Sequence, residues 1–141
     1  MKISKYMSPK VITAHPADGI RKTFFRMKEN RIRHLPVLDD SNRLVGILSD
    51  RDLRRPEWVD EDIEVAHVYN LDDDLAVGDL MTTEVKVVYT YDSIRKANRY
   101  LIDTRFGALP VLNKEEELVG MLSAIDVMRA FDDFMTEHPP K

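Results

Sequence analysis

The stretch Leu35-Pro36-Val37-Leu38, followed after a polar turn by Leu44-Val45-Gly46-Ile47-Leu48-Ser49-Asp50-Arg51-Asp52, is written twice in this chain. Seventy-four residues later it returns as Leu109-Pro110-Val111-Leu112 and Leu118-Val119-Gly120-Met121-Leu122-Ser123-Ala124-Ile125-Asp126. The same shift aligns Ile3–Arg55 with Val77–Arg129 without a gap, with 18 of 53 positions identical. Unrelated stretches agree at roughly one position in twenty, so the chain carries an internal repeat. Two copies are too few and too long for a solenoid, so a face-to-face pair with pseudo-two-fold symmetry is expected.

Outward from the quoted stretch, each copy reads alike. Met7-Ser8 meets Met81-Thr82, and Asp18-x-Ile20-Arg21-Lys22 meets Asp92-x-Ile94-Arg95-Lys96. A short β run opens each copy, Val11–Thr13 and Val85–Val88. A helix follows, with Asp18 and Asp92 expected at its N-cap. Ile20, Phe24 and Met27, and in the second copy Ile94, Ala97, Leu101 and Ile102, are expected to form its buried stripe. Two strands joined by Asp39–Asn42 or Asn113–Glu116 come next, then a final helix from Ser49-Asp50 or Ser123-Ala124. The order is βαββα twice, an α+β chain whose two sheets are expected to pack on each other. Residues 1–55 are the first repeat and 77–134 the second. Residues 56–76 form an acidic linker, with Pro56 ending the preceding helix and Trp58 expected to pack, and 135–141 a loose tail.

Composition narrows the function. The 141 residues include no Cys, which excludes disulfides, Cys-ligated metals and thiol catalysis. The longest apolar runs are about five residues, such as Ala108–Leu112, far short of the roughly 20 of a membrane helix, and no signal-peptide stretch follows Met1. A cytoplasmic protein without membrane insertion is expected. Net charge is −4, yet residues 1–55 carry +7 and residues 56–85 carry −10. The basic third can attract a small anion, or the acidic stretch simply neutralises it. An acidic whole disfavours nucleic acid. A nucleic-acid or metal-ion sensor, resting on the basic third and Asp72-Asp73-Asp74, is the weakest reading. His15, His34, His67 and His138 show no metal spacing, and no metal site is expected.

The ordered set, M-[S/T], β, helix, L-P-V-hydrophobic and L-V-G-h-L-S-x-x-D-h, present twice at constant spacing, resembles the CBS domain. Two in tandem are similar to a CBS pair, or Bateman module, and the resemblance covers nearly the whole chain, as in stand-alone small CBS proteins. It implies two βαββα units packed through their sheets, with two clefts between them. Many members bind AMP, ADP, ATP or S-adenosylmethionine there and regulate an attached or separate protein, and many form homodimers through their helices.

The cleft chemistry follows from side chains. Asp52 and Asp126 lie in a first helical turn, and a carboxylate accepts both hydroxyls of a ribose. Ser49 and Ser123 can cap the helix and face the ligand. Arg33 and His34 stand where the family often places phosphate contacts, and Arg51 precedes Asp52; the second copy has Gly107, Ala108 and Ile125 instead. The resemblance implies that cleft one combines His15, Ile20, Ile32 and Arg33 with Met121, Ser123 and Asp126. Cleft two combines Tyr89, Ile94, Phe106 and Gly107 with Ile47, Ser49 and Asp52. Apolar residues would sandwich the purine, with Tyr89 or Phe106 stacking on it, and phosphate is expected first in cleft one. The plainer alternative keeps Ser49 and Asp52 as helix-start residues, Arg33 as an exposed Arg and His34 as a part-buried His.

No glycine-rich phosphate loop, Cys nucleophile or G-x-S-x-G elbow is present, so no enzyme and no catalytic cofactor are expected. The leading expectation is a non-catalytic module binding AMP, ADP or ATP, with S-adenosylmethionine and NAD as further candidates, that signals to a regulated partner. The alternative is a ligand-independent homodimerisation scaffold using Met128, Phe131, Phe134 and Met135. The opposing reading packs that helix face inside its own chain.

Overall fold

Alternating apolar residues bounded by Asp- and Asn-rich turns make hairpins of the two quoted stretches. The computed structural model describes residues 1–54 and 74–140, so Arg55, Pro56, Trp58, the acidic run through Asp73 and His67 lie outside the described residues. The elements are α1 (Ile3–Tyr6), α2 (Ile20–Glu29), β1 (His34–Leu38), β2 (Leu44–Ser49), α3 (Asp50–Arg54), α4 (Val77–Leu80), β3 (Val88–Tyr89), α5 (Ile94–Thr104), β4 (Ala108–Leu112), β5 (Leu118–Ser123) and α6 (Ala124–Glu137). This is an α+β chain.

The residues gather into two compact units, Ile12–Val85 and Met1–Val11 with Lys86–Lys141. Sequence repeat and spatial unit are therefore different partitions: each repeat's leading Met-Ser or Met-Thr segment completes the unit built around the other repeat's hairpin. The first unit's hairpin is antiparallel, His34 opposite Ser49 and Pro36 opposite Ile47. Ile47 gives its N–H and C=O outward to Thr82 at 3.0 and 2.9 Å. Pro36 therefore sits in a pair that demands no N–H from it, which is where a strand tolerates proline. In the second unit Pro110 faces Met121, and Met121 exchanges bonds with Ser8 at 2.8 and 3.0 Å.

Each unit has its own core. Ile20, Phe24 and Met27 pack with Leu35, Val37, Leu48, Leu53 and Val77 in the first. Ile94, Ala97 and Leu101 pack with Ile3, Val88, Leu109, Val111 and Leu122 in the second. Ile3 and Val77, fully buried, seat the exchanged segments. Close approach there needs glycine. A Cβ on Gly120 would lie 2.7 Å from the Met7 sulfur and 2.9 Å from the Ser8 carbonyl oxygen, and one on Gly46 would collide with the Met81 sulfur. The left-handed residues also repeat at the 74-residue shift: Arg31 with Arg105, Asn42 with Glu116.

Four local expectations change. Val11–Thr13 form no strand; only Ala14 bridges β1, at Val37. The opening strand of the second copy is Val88–Tyr89, later and shorter than 85–88. Asp18 and Asp92 do not cap the following helices, whose N-caps are Gly19 and Ser93. Each carboxylate instead accepts an N–H three residues back, from His15 and Tyr89, both at 2.9 Å, because an Asp side chain competes for nearby backbone donors. Ile102 is 57% exposed, since eight residues past Ile94 the helix has turned about 80° away from that stripe.

Candidate functional site

At one end of each hairpin the strand runs straight into a helix, and there serine and aspartate lock together. Ser49 N–H donates to Asp52 Oδ2 at 2.8 Å, and Asp52 N–H donates to Ser49 Oγ at 3.2 Å. Ser123 and Asp126 repeat both bonds at 2.8 and 3.2 Å. This reciprocal box satisfies two otherwise orphaned donors at the helix start. Asp126 is buried, and its other oxygen, Oδ1, stands 3.6 Å from Arg129 Nη1. One carboxylate oxygen thus builds the turn while the second is an acceptor beside a guanidinium. Capping and ligand contact are compatible roles for these pairs.

The strand opposite sets the surroundings. The Arg33 carbonyl accepts from Asp50 N–H, and the Gly107 carbonyl accepts from Ala124 N–H, both at 3.0 Å. Arg33 and His34 therefore sit beside Ser49 and Asp52, within one unit. Burial pushes the His34 imidazole below its ordinary value; the carboxylates of Asp50 and Asp52 oppose this and Arg33 reinforces it. Arg33 and Arg51 are exposed cations at this end. In the second unit Phe106 and Gly107 are exposed, and Ala108 replaces the imidazole.

The structure thus gathers Ile32, Arg33, His34, Ile47, Ser49, Arg51 and Asp52 at one end of the first unit. It gathers Phe106, Gly107, Met121, Ser123 and Asp126 at the corresponding end of the second. His15 and Tyr89 lie elsewhere. Ala14, preceding His15, bonds Pro36 and Leu38, and Tyr89 pairs with Leu112, at the hairpin-turn ends. Four strand residues, about 13 Å, separate those ends from the Ser–Asp ends. His15 Nε2 meets Asp40 at 2.7 Å and its Nδ1 accepts from Ala17 N–H. Tyr89 donates to Glu116 at 3.0 Å and stacks on Tyr91; the Glu116 bond, with partial burial, raises the phenol above its ordinary value. Ile20 is fully buried and Ile94 nearly so, both as core side chains.

Two residues join the site that side-chain chemistry alone did not single out. Thr82 and Ser8 bond Ile47 and Met121, two residues before Ser49 and Ser123. Their signal is the Met-Ser/Met-Thr recurrence at the 74-residue shift. Among the described residues no group of three or more His, Asp or Glu can hold a metal, and no helix is long and apolar enough to cross a membrane.

These features have a family. The CBS-domain family model matches residues 3–68 and 77–133, and the chain belongs to that family. It is 30% identical over 135 residues to an uncharacterized 17.7 kDa protein in the bps2 3′ region of Acidianus ambivalens, covering 96% of this chain and 76% of that one. The crystal structure of CBSX2 in complex with AMP superposes with a TM-score of 0.79 at 28% identity, covering 94% of this chain and 97% of that chain; CBSX2 is a chloroplastic protein of Arabidopsis thaliana. Protein MJ1225 of Methanocaldococcus jannaschii superposes with a TM-score of 0.79 at 26% identity, over 95% of this chain and 51% of that one. The chain spans 44–62% of the length of several other curated relatives.

Proposed function

We propose that this chain is a non-catalytic regulatory module that binds an adenosine-containing ligand of the AMP, ADP or ATP class at the Ser–Asp ends of its two units and signals occupancy to a partner protein. The observation that carries this is the duplicated pair, Ser49 with Asp52 and Ser123 with Asp126, held in the same bond geometry at the same backbone position. The AMP complex of CBSX2, a relative of the same fold, supports the ligand class. In this reading the Asp carboxylates take the ribose hydroxyls. Arg33 and Arg51, with His34 beside them, take phosphate, and Ile32, Ile47, Met121 and Phe106 contact the base. His15, Tyr89, Ile20 and Ile94 are left out, the first two by their position and the others by burial. Cytoplasmic action belongs to the same proposal.

Thermal-shift titration with AMP, ADP, ATP, NAD and S-adenosylmethionine tests it, because a ligand bound by the native state alone raises its stability. A rise with at least one of these supports the reading. No rise with any at millimolar concentration rejects it.

A second reading, a homodimerisation scaffold, is favoured by the outward face of α6, where Met128, Phe131 and Phe134 are 63%, 65% and 45% exposed. Light scattering tests it, a dimeric mass indifferent to every nucleotide being the supporting result and a monomeric mass the opposing one.

A further inference from the structure

The chain holds seven Met and no Cys, so its oxidisable sulfur is thioether sulfur. Two of the seven, Met7 and Met81, occupy the same place in the two repeats. Each stands directly before a residue that exchanges both backbone bonds with a hairpin: Ser8 with Met121 at 2.8 and 3.0 Å, and Thr82 with Ile47 at 2.9 and 3.0 Å. Each thioether fills the space over a strand glycine that a side chain would otherwise take. A Cβ on Gly120 would stand 2.7 Å from the Met7 sulfur and 2.9 Å from the Ser8 carbonyl oxygen. One on Gly46 would collide with the Met81 sulfur and stand 3.1 Å from the Thr82 carbonyl oxygen. Both Met side chains pack against their own unit's core and are still partly exposed. Met27 is buried, whereas Met1 and Met128 are exposed and cover no strand glycine.

We infer that Met7 and Met81 are modification sites, and that their oxidation to the sulfoxide by a peroxide releases Ser8 and Thr82 from the hairpins. A sulfur lone pair attacks one peroxide oxygen and the O–O bond breaks. The sulfur is oxidised by two electrons, and the other oxygen leaves as water. A polar, chiral sulfoxide then stands where an apolar thioether packed. Its oxygen only accepts hydrogen bonds, and the polar atom beside it over the glycine is another acceptor, the Ser8 or Thr82 carbonyl oxygen. An acceptor buried without a donor is costly, and opening the segment to water relieves it. What resists opening is one exchanged pair of backbone bonds at each hairpin. Release stays local, because Ile3 and Val77, four residues earlier, remain fully buried as anchors. Ile47 and Met121 lie two residues before Ser49 and Ser123, so each release uncovers the strand that leads into a Ser–Asp end. The release does not depend on which ligand those ends take.

The test treats the isotope-labelled full chain with hydrogen peroxide and locates the sulfoxides by peptide mass spectrometry. Amide exchange is followed by nuclear magnetic resonance at Ile47 and Met121, whose N–H groups bond the Thr82 and Ser8 carbonyls. A Met7→Leu/Met81→Leu double variant, close in volume and unable to gain the oxygen, is treated alike. Met7 and Met81 should each gain one oxygen. Exchange at Ile47 and Met121 should quicken by roughly tenfold or more, the scale of one unsatisfied buried polar group, while the circular dichroism keeps its native form. Methionine sulfoxide reductases for both epimers should return exchange to its starting rate. The Leu variant should show no quickening although its Met1 and Met128 are oxidised. Met7 and Met81 left unoxidised once Met1 and Met128 are fully converted would overturn the inference. So would full oxidation at both positions with exchange unchanged, equal quickening in the Leu variant, or collapse of the circular dichroism. Should the Leu variant not fold, the reductase step decides: exchange that stays fast after the sulfoxides are removed overturns the inference.

Discussion

His34 stands opposite Ser49 across the first hairpin, and the matching place opposite Ser123 is held by Ala108. Identical backbone pairing with different side chains makes the two Ser–Asp ends chemically unequal, and it makes Ala a natural substitute for His34.

The pH dependence of stability follows from that imidazole. Burial holds folded His34 below its ordinary value of 6.5. As pH falls through 6.5 the unfolded chain takes up the proton first, so the unfolded state gains and stability drops toward the folded value. The stabilisation is complete above 6.5 and lost below it. Melting temperature in the absence of ligand should fall more between pH 7.5 and 5.5 for the native sequence than for His34→Ala. Equal slopes would show that His34 does not refuse the proton.

Gly120→Ala should destabilise by roughly 1–3 kcal/mol, as overpacking does. Its new Cβ meets the Ser8 carbonyl oxygen at 2.9 Å as well as the Met7 sulfur, so adding Met7→Ala should not restore stability. At Gly46 the tightest neighbour is the Met81 sulfur and the Thr82 carbonyl oxygen is farther, at 3.1 Å, so Met81→Ala should rescue Gly46→Ala in part. Urea denaturation of the four variants checks this contrast; equal rescue at both glycines would contradict it.

Ile3 lies 74 residues from Val77 in the alignment, at the start of the chain, yet it is fully buried in the second unit's core. Ile3→Ala should cost about 2–5 kcal/mol, the range for a large-to-small core change. Hydrogen exchange should report the loss at β3, β4 and β5 rather than at β1 and β2. Uniform loss across both hairpins, or none, would show that the segment does not belong to that unit's core.

The hairpins are legible in the sequence because their periodicity is short-range: Leu35, Val37 and Leu48 alternate inward whatever lies beyond them. The Ser–Asp ends are legible for the same reason, since a cap joins residues three apart. The exchanged segments are not, because nothing near Met7 states that its neighbour will be Gly120 in the other repeat. That one topological fact brings Ser8 and Thr82 into the site. The misplacement of His15 and Tyr89 arises similarly: both are close in sequence to the helix that follows them, yet within their own units they lie at the turn end of β1 and β4, away from the Ser–Asp end. Asp18 and Asp92 have the composition of caps, and the backbone offered them a nearer donor at His15 and Tyr89.

The duplicated carboxylate as nucleoside anchor is tested most directly by calorimetric titration of AMP into the full chain and into the Asp52→Asn/Asp126→Asn double variant. Asn keeps an oxygen to accept the Ser49 and Ser123 N–H groups while removing the charge. Loss of a charged hydrogen bond at each site, about 1.5–3 kcal/mol, predicts affinity at least tenfold weaker with the melting temperature little changed. Unchanged AMP affinity in the folded double variant would contradict the account.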